Sequence, residues 1–406
     1  MFNTRHRSTV LFISLAAFFL YFQLFRFPAT PILFEGDHAV HLSNAWRMYL
    51  GEIPFRDFFI FTFPGTELFY FFLFKLFGVK IWVLNATIFL LLINLTAVGL
   101  YFSRRLLKGW AVYLPVSIFL VVGFRPLGID GSHRFFSVLA VLIAVAVIMS
   151  RRTPLRLFLS GILCGLASCF TQPRGLVGLA AIVFFLAFET YSTKQSLSSF
   201  IRKAFWTVLP FALIIGLTSF YFIFSAGFDT FYFSTFIFPV KHYPADVWNN
   251  TGAFLRDVPA FGNTSFPAYL KLSAPILFNY FLIPWIYLLF FALLWFKRET
   301  ISIDKKLQLI LLNLTGLFLA IGVFSAPTST RFYQISLPAL ISLIWIFQYF
   351  FNLSRTYLSF LIILGLLGFS YTFQRQTNPV YPLNTPSGLT VSLTPEILAR
   401  YSWAAE

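Results

Sequence analysis

The chain is expected to fold as an all-α polytopic membrane bundle of about eleven spans, and three observations carry that expectation. Apolar residues make up 58% of the 406 positions. Charged residues make up only 11%, against roughly 25% in soluble domains. Apolar runs near the ~20 residues that cross hydrocarbon recur from end to end, and the mean hydropathy is +0.80.

These runs lie near 8–26, 81–103, 110–124, 135–150, 157–170, 175–190, 204–224, 276–296, 307–325, 332–350 and 356–373. Those starting near 110, 135, 157 and 175 are short. The first follows Arg5 and Arg7, as a signal-peptide core would, but it is longer than such a core. No small-x-small cleavage pattern follows it, so it is read as an uncleaved span.

Basic residues set the expected orientation, with the N-terminus cytoplasmic and the C-terminus outside. The inner loops then hold sixteen Lys and Arg, among them Arg104, Arg105, Lys108, Arg151, Arg152, Lys297, Arg298 and Arg355, against only Glu189, Glu299 and Asp304. They cluster beside span ends, as the positive-inside rule requires. The net charge of +16 is thus a topology signal with attraction to anionic headgroups, and it calls for no nucleic acid. Cys164 and Cys169 fall five residues apart in one span, where they point in different directions and read as packing residues. There is no Walker loop, dinucleotide glycine pattern, zinc spacing or internal repeat.

On this topology eleven of the fourteen carboxylates face outside, and five of them, Glu35, Asp37, Glu52, Asp57 and Glu67, fall in the loop after the first span. A second long outer segment covers 225–275, and an outer tail begins near 374. Inner connections are short, so activity is expected at the outer side. From Asp37 to Tyr49, Leu42, Ala45, Trp46 and Tyr49 recur at helical spacing as an apolar stripe. Asp37, His41 and Asn44 share the other side, so the helix is expected to lie along the interface with Asp37 toward an aqueous cleft. Gly51 and Pro54 end it. The aromatic run 68–77 is too short to span and reads as a second interfacial helix.

The order Asp37, Gly51, Pro54, Phe55, Arg56, Asp57, Phe58, Pro64, Gly65 resembles the first outer loop of membrane glycosyltransferases of the GT-C class. It is similar in particular to bacterial relatives of protein O-mannosyltransferases and lipid A aminoarabinose transferases. In that family an Asp-Glu pair opens an interfacial helix, and Gly-x-x-Pro-Tyr-x-Asp-Phe and Pro-Gly follow. The family's Glu is His38 here and its next Gly is Ala39, a departure that weakens the case for a divalent metal; Glu35 lies two residues upstream. Thr171-Gln172-Pro173-Arg174-Gly175 resembles the family's Thr-Lys-Gln-x-Gly turn with the cation displaced, and Arg331 to Pro338 resembles its Arg-Tyr…Pro start of a late span.

The resemblance covers roughly 10–373 and implies a GT-C transmembrane domain over 1–373, with 374–406 expected as either a short outer tail or a truncated form of the folded outer domain that the family often carries. It also implies that a sugar passes from a polyprenyl-phosphate donor to a lipid, glycan or protein acceptor at the outer face of a bacterial plasma membrane; no cofactor is fixed, and a divalent metal is the one candidate, with a weak case. Asp37 is then the candidate catalytic base or acceptor anchor. Glu35, His38, His41, Asp57 and Asp130 are candidate supporting groups, Asp130 because related transferases place an acid in the second outer loop. Arg331, Arg174, Lys241 and Arg134, at outer span ends, are candidate donor-phosphate contacts. Each residue also has a plainer reading. Asp57 serves equally as a loop cap, the histidines as interfacial polar groups and the arginines as headgroup anchors. The competing function class is a transporter or lipid flippase, which usually keeps ionisable groups within its spans, and a structural membrane subunit is a third.

Overall fold

A computed structural model describes residues 4–123, 129–257, 265–296, 301–350 and 354–401. Helix α1 (Thr4–Leu24) leads into a small hairpin, β1 (Phe25–Arg26) and β2 (Thr30–Pro31). Then come α2 (His38–Tyr49), α3 (Gly65–Phe77), α4 (Trp82–Leu106) and α5 (Leu114–Ile118), which is flanked by a 3-10 turn and a π turn. Helices α6 (His133–Ile148), α7 (Pro154–Phe170), α8 (Gln172–Ser192) and α9 (Leu197–Ala226) follow in close succession. The 225–275 segment contains α10 (Phe228–Tyr232), a π-helical stretch (Phe233–His242), α11 (Ala253–Asp257) and the start of α12 (Phe266–Leu277). The remainder comprises α13 (Ile283–Phe296), α14 (Ile303–Val323), α15 (Ser329–Gln334), α16 (Leu337–Phe350), α17 (Ser354–Thr377), the hairpin β3 (Tyr381–Thr385) and β4 (Gly388–Ser392), and α18 (Pro395–Tyr401).

The expected apolar runs are mainly helical where they are described, although Phe25 and Arg26 at the end of the first form β1. Seven helices are long and apolar enough to cross a membrane, and four shorter apolar ones accompany them among the described residues. Helices dominate because hydrocarbon offers no partner to a bare backbone N–H or C=O. The 16 residues of α6 span about 24 Å, less than the ~30 Å hydrocarbon core, so polar groups at its ends lie at or within the apolar layer. The run expected from 332 is broken. Arg331 and Gln334 sit on the separate six-residue α15, and α16 starts at Leu337, where Pro338 occupies a first-turn position that needs no N–H.

Helices α4 and α14 are the most buried spans, whereas α9 and α17 turn Phe220, Phe224, Leu366 and Phe369 outward as a lipid-facing surface. Helix α7 packs between α6 and α9. Gly161 and Gly165 make the close approach possible: a Cβ on Gly161 would overlap the Thr207 carbonyl, and one on Gly165 would lie 2.8 Å from Ile214 Cβ. This is a small-xxx-small helix contact. Gly161→Val should force α7 and α9 apart and lower stability by about 1–3 kcal/mol. Size-exclusion profiles after graded heating in detergent would show it, and an unshifted midpoint would contradict this packing.

Several of the basic residues expected in the inner loops make local contacts. Arg104 reaches the Ser8 and Tyr113 hydroxyls at 3.4 and 3.5 Å, Lys108 N donates to Gln348 at 2.9 Å, and Arg152 and Lys203 flank Glu189 at 3.1 and 3.0 Å. Lys297, Arg298 and Glu299 lie outside the described residues.

The tail is not a free extension. Leu33 N donates to Val391 O at 2.8 Å, Thr390 Oγ1 to Pro31 O at 2.8 Å, and Ile81 N to Ser387 O at 3.1 Å. Asn85, buried in α4, donates to Leu24 O and Ile32 O at 2.7 and 2.9 Å. First loop, first span and tail are thereby joined into one unit.

Candidate functional site

Asp37 occupies the N-cap position of α2 but makes no capping hydrogen bond, leaving its carboxylate free to point elsewhere. Its side chain is 57% exposed and is ion-paired to Arg134 Nη2. Arg134, in the first turn of α6 and only 13% exposed, reaches Asp130 Oδ2 at 3.2 Å with its other terminal nitrogen. One guanidinium thus bridges two carboxylates from different loops.

Asp130 is buried and well supplied with donors. Ser132 N and Oγ donate at 2.8 and 2.7 Å, and Gln334 Nε2 donates at 3.0 Å. Burial pushes its pKa upward, but Arg134 and the Ser132 donors outweigh that and hold it below the ordinary carboxylate value. It is therefore anionic at neutral pH. Tyr70 Oη donates to Gly131 O at 2.7 Å and ties this loop to α3. Gly131 is closely packed: a Cβ there would lie 2.5 Å from Leu84 Cδ1 and 2.7 Å from the Tyr70 hydroxyl, so both side chains would have to shift.

Arg174 is buried and donates to Arg134 O at 2.8 Å and to Gln334 Oε1 at 3.4 Å, so it supports the bridge from behind. Arg331 donates to Ala326 O at 2.7 Å, Asn249 Oδ1 at 2.8 Å, Tyr243 Oη at 3.3 Å and Trp248 O at 3.4 Å. It therefore joins the 243–249 segment to α15. Burial and the charge of Arg134 lower its pKa, yet a guanidinium stays protonated at neutral pH. Three guanidiniums here face two acids, leaving net positive charge beside the exposed Asp37.

A cavity of about 410 Å³ opens at this bridge. Glu35, Asp37, Asp130, Arg134, Thr330 and Arg375 form its polar lining.

The histidines behave differently from expectation. Helix α2 buries His38, His41 and Ala45 along one side, while Trp46 is 41% exposed and stacks on Tyr49 at 5.5 Å. The side read as facing water is thus partly the packed side, because α3 brings a partner to it. His41 Nδ1 pairs with the buried Glu67 Oε1 at 2.7 Å. His38 Nε2 donates to Phe34 O at 2.9 Å, and burial lowers its pKa, so the ring is neutral. His133 lies beside His41, with ring centroids 5.3 Å apart, and bonds Thr171 Oγ1 at 2.8 Å.

Asp57 lies apart from this cluster. It pairs with Arg56 at 2.8 Å and accepts from Ile53 N at 2.7 Å, and these contacts hold its pKa at about 2. That geometry is a loop cap. The neighbouring Phe55, Phe58 and Phe63 dock the loop against Phe222 and Phe231. Lys241 is exposed on the π-helical stretch and forms no ion pair among the described residues. Of the expected residues, the structure unites Asp37, Asp130, Arg134 and Arg174, places Glu35 on the cavity and sets Arg331 beside the group.

Sequence reasoning missed Gln334, Ser132, Glu67 and Arg375. Ser132 carried a signal, since Asp-x-Ser is a local turn pattern in which the acid accepts the amide two residues on. Gln334 lies one helical turn from Arg331, which could have marked it once α15 was separated from the span. Among the described residues no three His, Cys, Asp or Glu side chains converge as metal ligands.

No family model matches the chain, and no curated protein matches its sequence. Among solved structures it is similar to the Archaeoglobus fulgidus oligosaccharyltransferase, whose crystal structure is a complex with Zn and sulfate. The fold is of the GT-C type. The match has a TM-score of 0.52 at 14% identity and covers 90% of this chain and 53% of the archaeal chain. This chain therefore spans about half the length of that one, and the likeness concerns the fold.

Proposed function

We propose that this protein is an integral membrane glycosyltransferase that moves a sugar from a polyprenyl-phosphate donor to an acceptor at the outer face of the plasma membrane. The acceptor hydroxyl would be a lipid, glycan or protein group, by analogy with the bacterial relatives of protein O-mannosyltransferases and lipid A aminoarabinose transferases that the first outer loop resembles. The observation that supports this reading best is the bridge of Asp37 and Asp130 through Arg134, with Arg174 and Arg331 adjacent, at the mouth of a cavity.

The chemistry assigns roles as follows. The acceptor oxygen attacks the anomeric carbon, and its proton passes to Asp37. The bond from that carbon to the phosphate oxygen breaks with its electron pair staying on the phosphate. A phosphodiester of one charge becomes a monoester of up to two, and the surplus guanidinium charge stabilises what develops. Attack opposite the leaving group inverts the anomeric centre. Asp130 does not act on the substrate; it fixes Arg134 from the buried side.

Purified protein incubated with a panel of lipid-phosphate sugars should release free lipid phosphate from at least one, scored by mass. No release from any donor, in the presence of membrane lipid and glycan acceptors, would reject transfer. Arg331→Ala should raise the apparent KM for that donor about tenfold with a smaller change in kcat, since it removes a ground-state phosphate contact. Unaltered donor dependence would assign Arg331 to loop attachment alone.

A further inference from the structure

The cavity beside Asp37 is lined in part by residues of the C-terminal tail. Leu393, after β4, and Ile397, on α18, meet Leu33, Phe34 and Ile129 around the same space as Glu35, Asp37 and Asp130. Neither tail residue belongs to a span, and the docking bonds of Thr390, Val391 and Ser387 hold the tail in place. The lining therefore mixes apolar groups with carboxylates, the guanidiniums of Arg134 and Arg375, and the Thr330 hydroxyl.

We propose that this cavity holds a sugar ring and that Leu393 and Ile397 determine which sugar fits. A furanose or pyranose has C–H faces that pack on aliphatic groups and a rim of hydroxyls that donate to carboxylates. About 410 Å³ lies within the few-hundred Å³ range of small-ligand sites and holds one or two rings. A lipid chain would match none of the charged groups of the lining, and a bare phosphate would leave Leu33, Ile129, Leu393 and Ile397 unused. The proposal deepens the transferase reading and rests on it for the link to chemistry, though not for the cavity's occupant.

Thiol labelling tests this without requiring turnover. Cys164 is buried and Cys169 half-buried, so Cys164→Ser and Cys169→Ser provide a cysteine-free background. In it, Ile397→Cys is labelled with a small maleimide in the full-length protein. The probes are farnesyl-phosphate mannose, glucose and arabinose, farnesyl phosphate alone, and soluble mannobiose. Slowing of labelling by at least fivefold with a lipid-linked sugar but not with farnesyl phosphate supports the proposal and assigns the ring to the donor. The same slowing with mannobiose supports it and assigns the ring to the acceptor. Equal slowing by farnesyl phosphate alone, or no slowing by any probe, overturns it.

In parallel, Ile397→Ala and the bulkier Ile397→Trp should change the preference between hexose and pentose donors, in lipid-phosphate release, by roughly tenfold and in opposite directions. Release without protection or altered preference would discard the cavity assignment and keep transfer. Sugar-dependent protection without release would do the reverse.

Discussion

Asp37→Asn should abolish sugar transfer while leaving the protein folded and inserted. A positioned base contributes typically 10²–10⁴-fold, so release of lipid phosphate should fall at least a hundredfold. The structural cost is small for identifiable reasons. The carboxylate is more than half exposed, it does not cap α2, and Asn keeps an acceptor for Arg134. Surface ion pairs of this kind contribute little to stability. Loss of turnover with an unchanged chromatographic profile and unchanged donor protection of position 397 would identify a chemical role. Full activity in a well-expressed variant would remove Asp37 from the mechanism.

Arg134→Met should damage both stability and activity, because Arg134 compensates a buried charge. Without it Asp130 keeps only Ser132 and Gln334 as donors and loses its direct ion pair, with Arg174 left as a more distant charge. Breaking a buried pair from one side typically costs about 3–5 kcal/mol. The buried Cys164 offers a natural reporter: a thiol-reactive dye should report unfolding at clearly lower temperature in this variant. Adding Asp130→Asn removes the stranded charge and should recover much of the midpoint. Transfer should stay absent, since no guanidinium then steadies Asp37. If Arg134→Met alone melts like the parent, the bridge does not support the fold.

Much of the site was visible as residue types. Asp37, Asp130, Arg134 and Arg174 were all marked by their places in loops and at span ends, and the structure brings them within hydrogen-bond reach of one another. What the residues do for each other was not visible. Asp37 and Arg134 are 97 positions apart, and no local pattern announces their pairing. Asp57 and Asp37 stand in one motif, yet one is a loop cap and the other faces a cavity. The buried side of α2 was misjudged because His41 finds Glu67 on a different helix, and helical periodicity counts a histidine as polar whether or not a partner waits for it.

The sequence by itself determined the membrane class and the positions of the spans, because lipid imposes one rule on every segment: an apolar run must satisfy its own backbone, which only a helix does here. Segregation of the charges is likewise written in local composition. Tertiary structure alone decided that one arginine serves two acids, that the tail contributes to the cavity lining, and which face of α2 is packed. Those outcomes depend on distances between segments far apart in the chain, and composition holds no record of such distances.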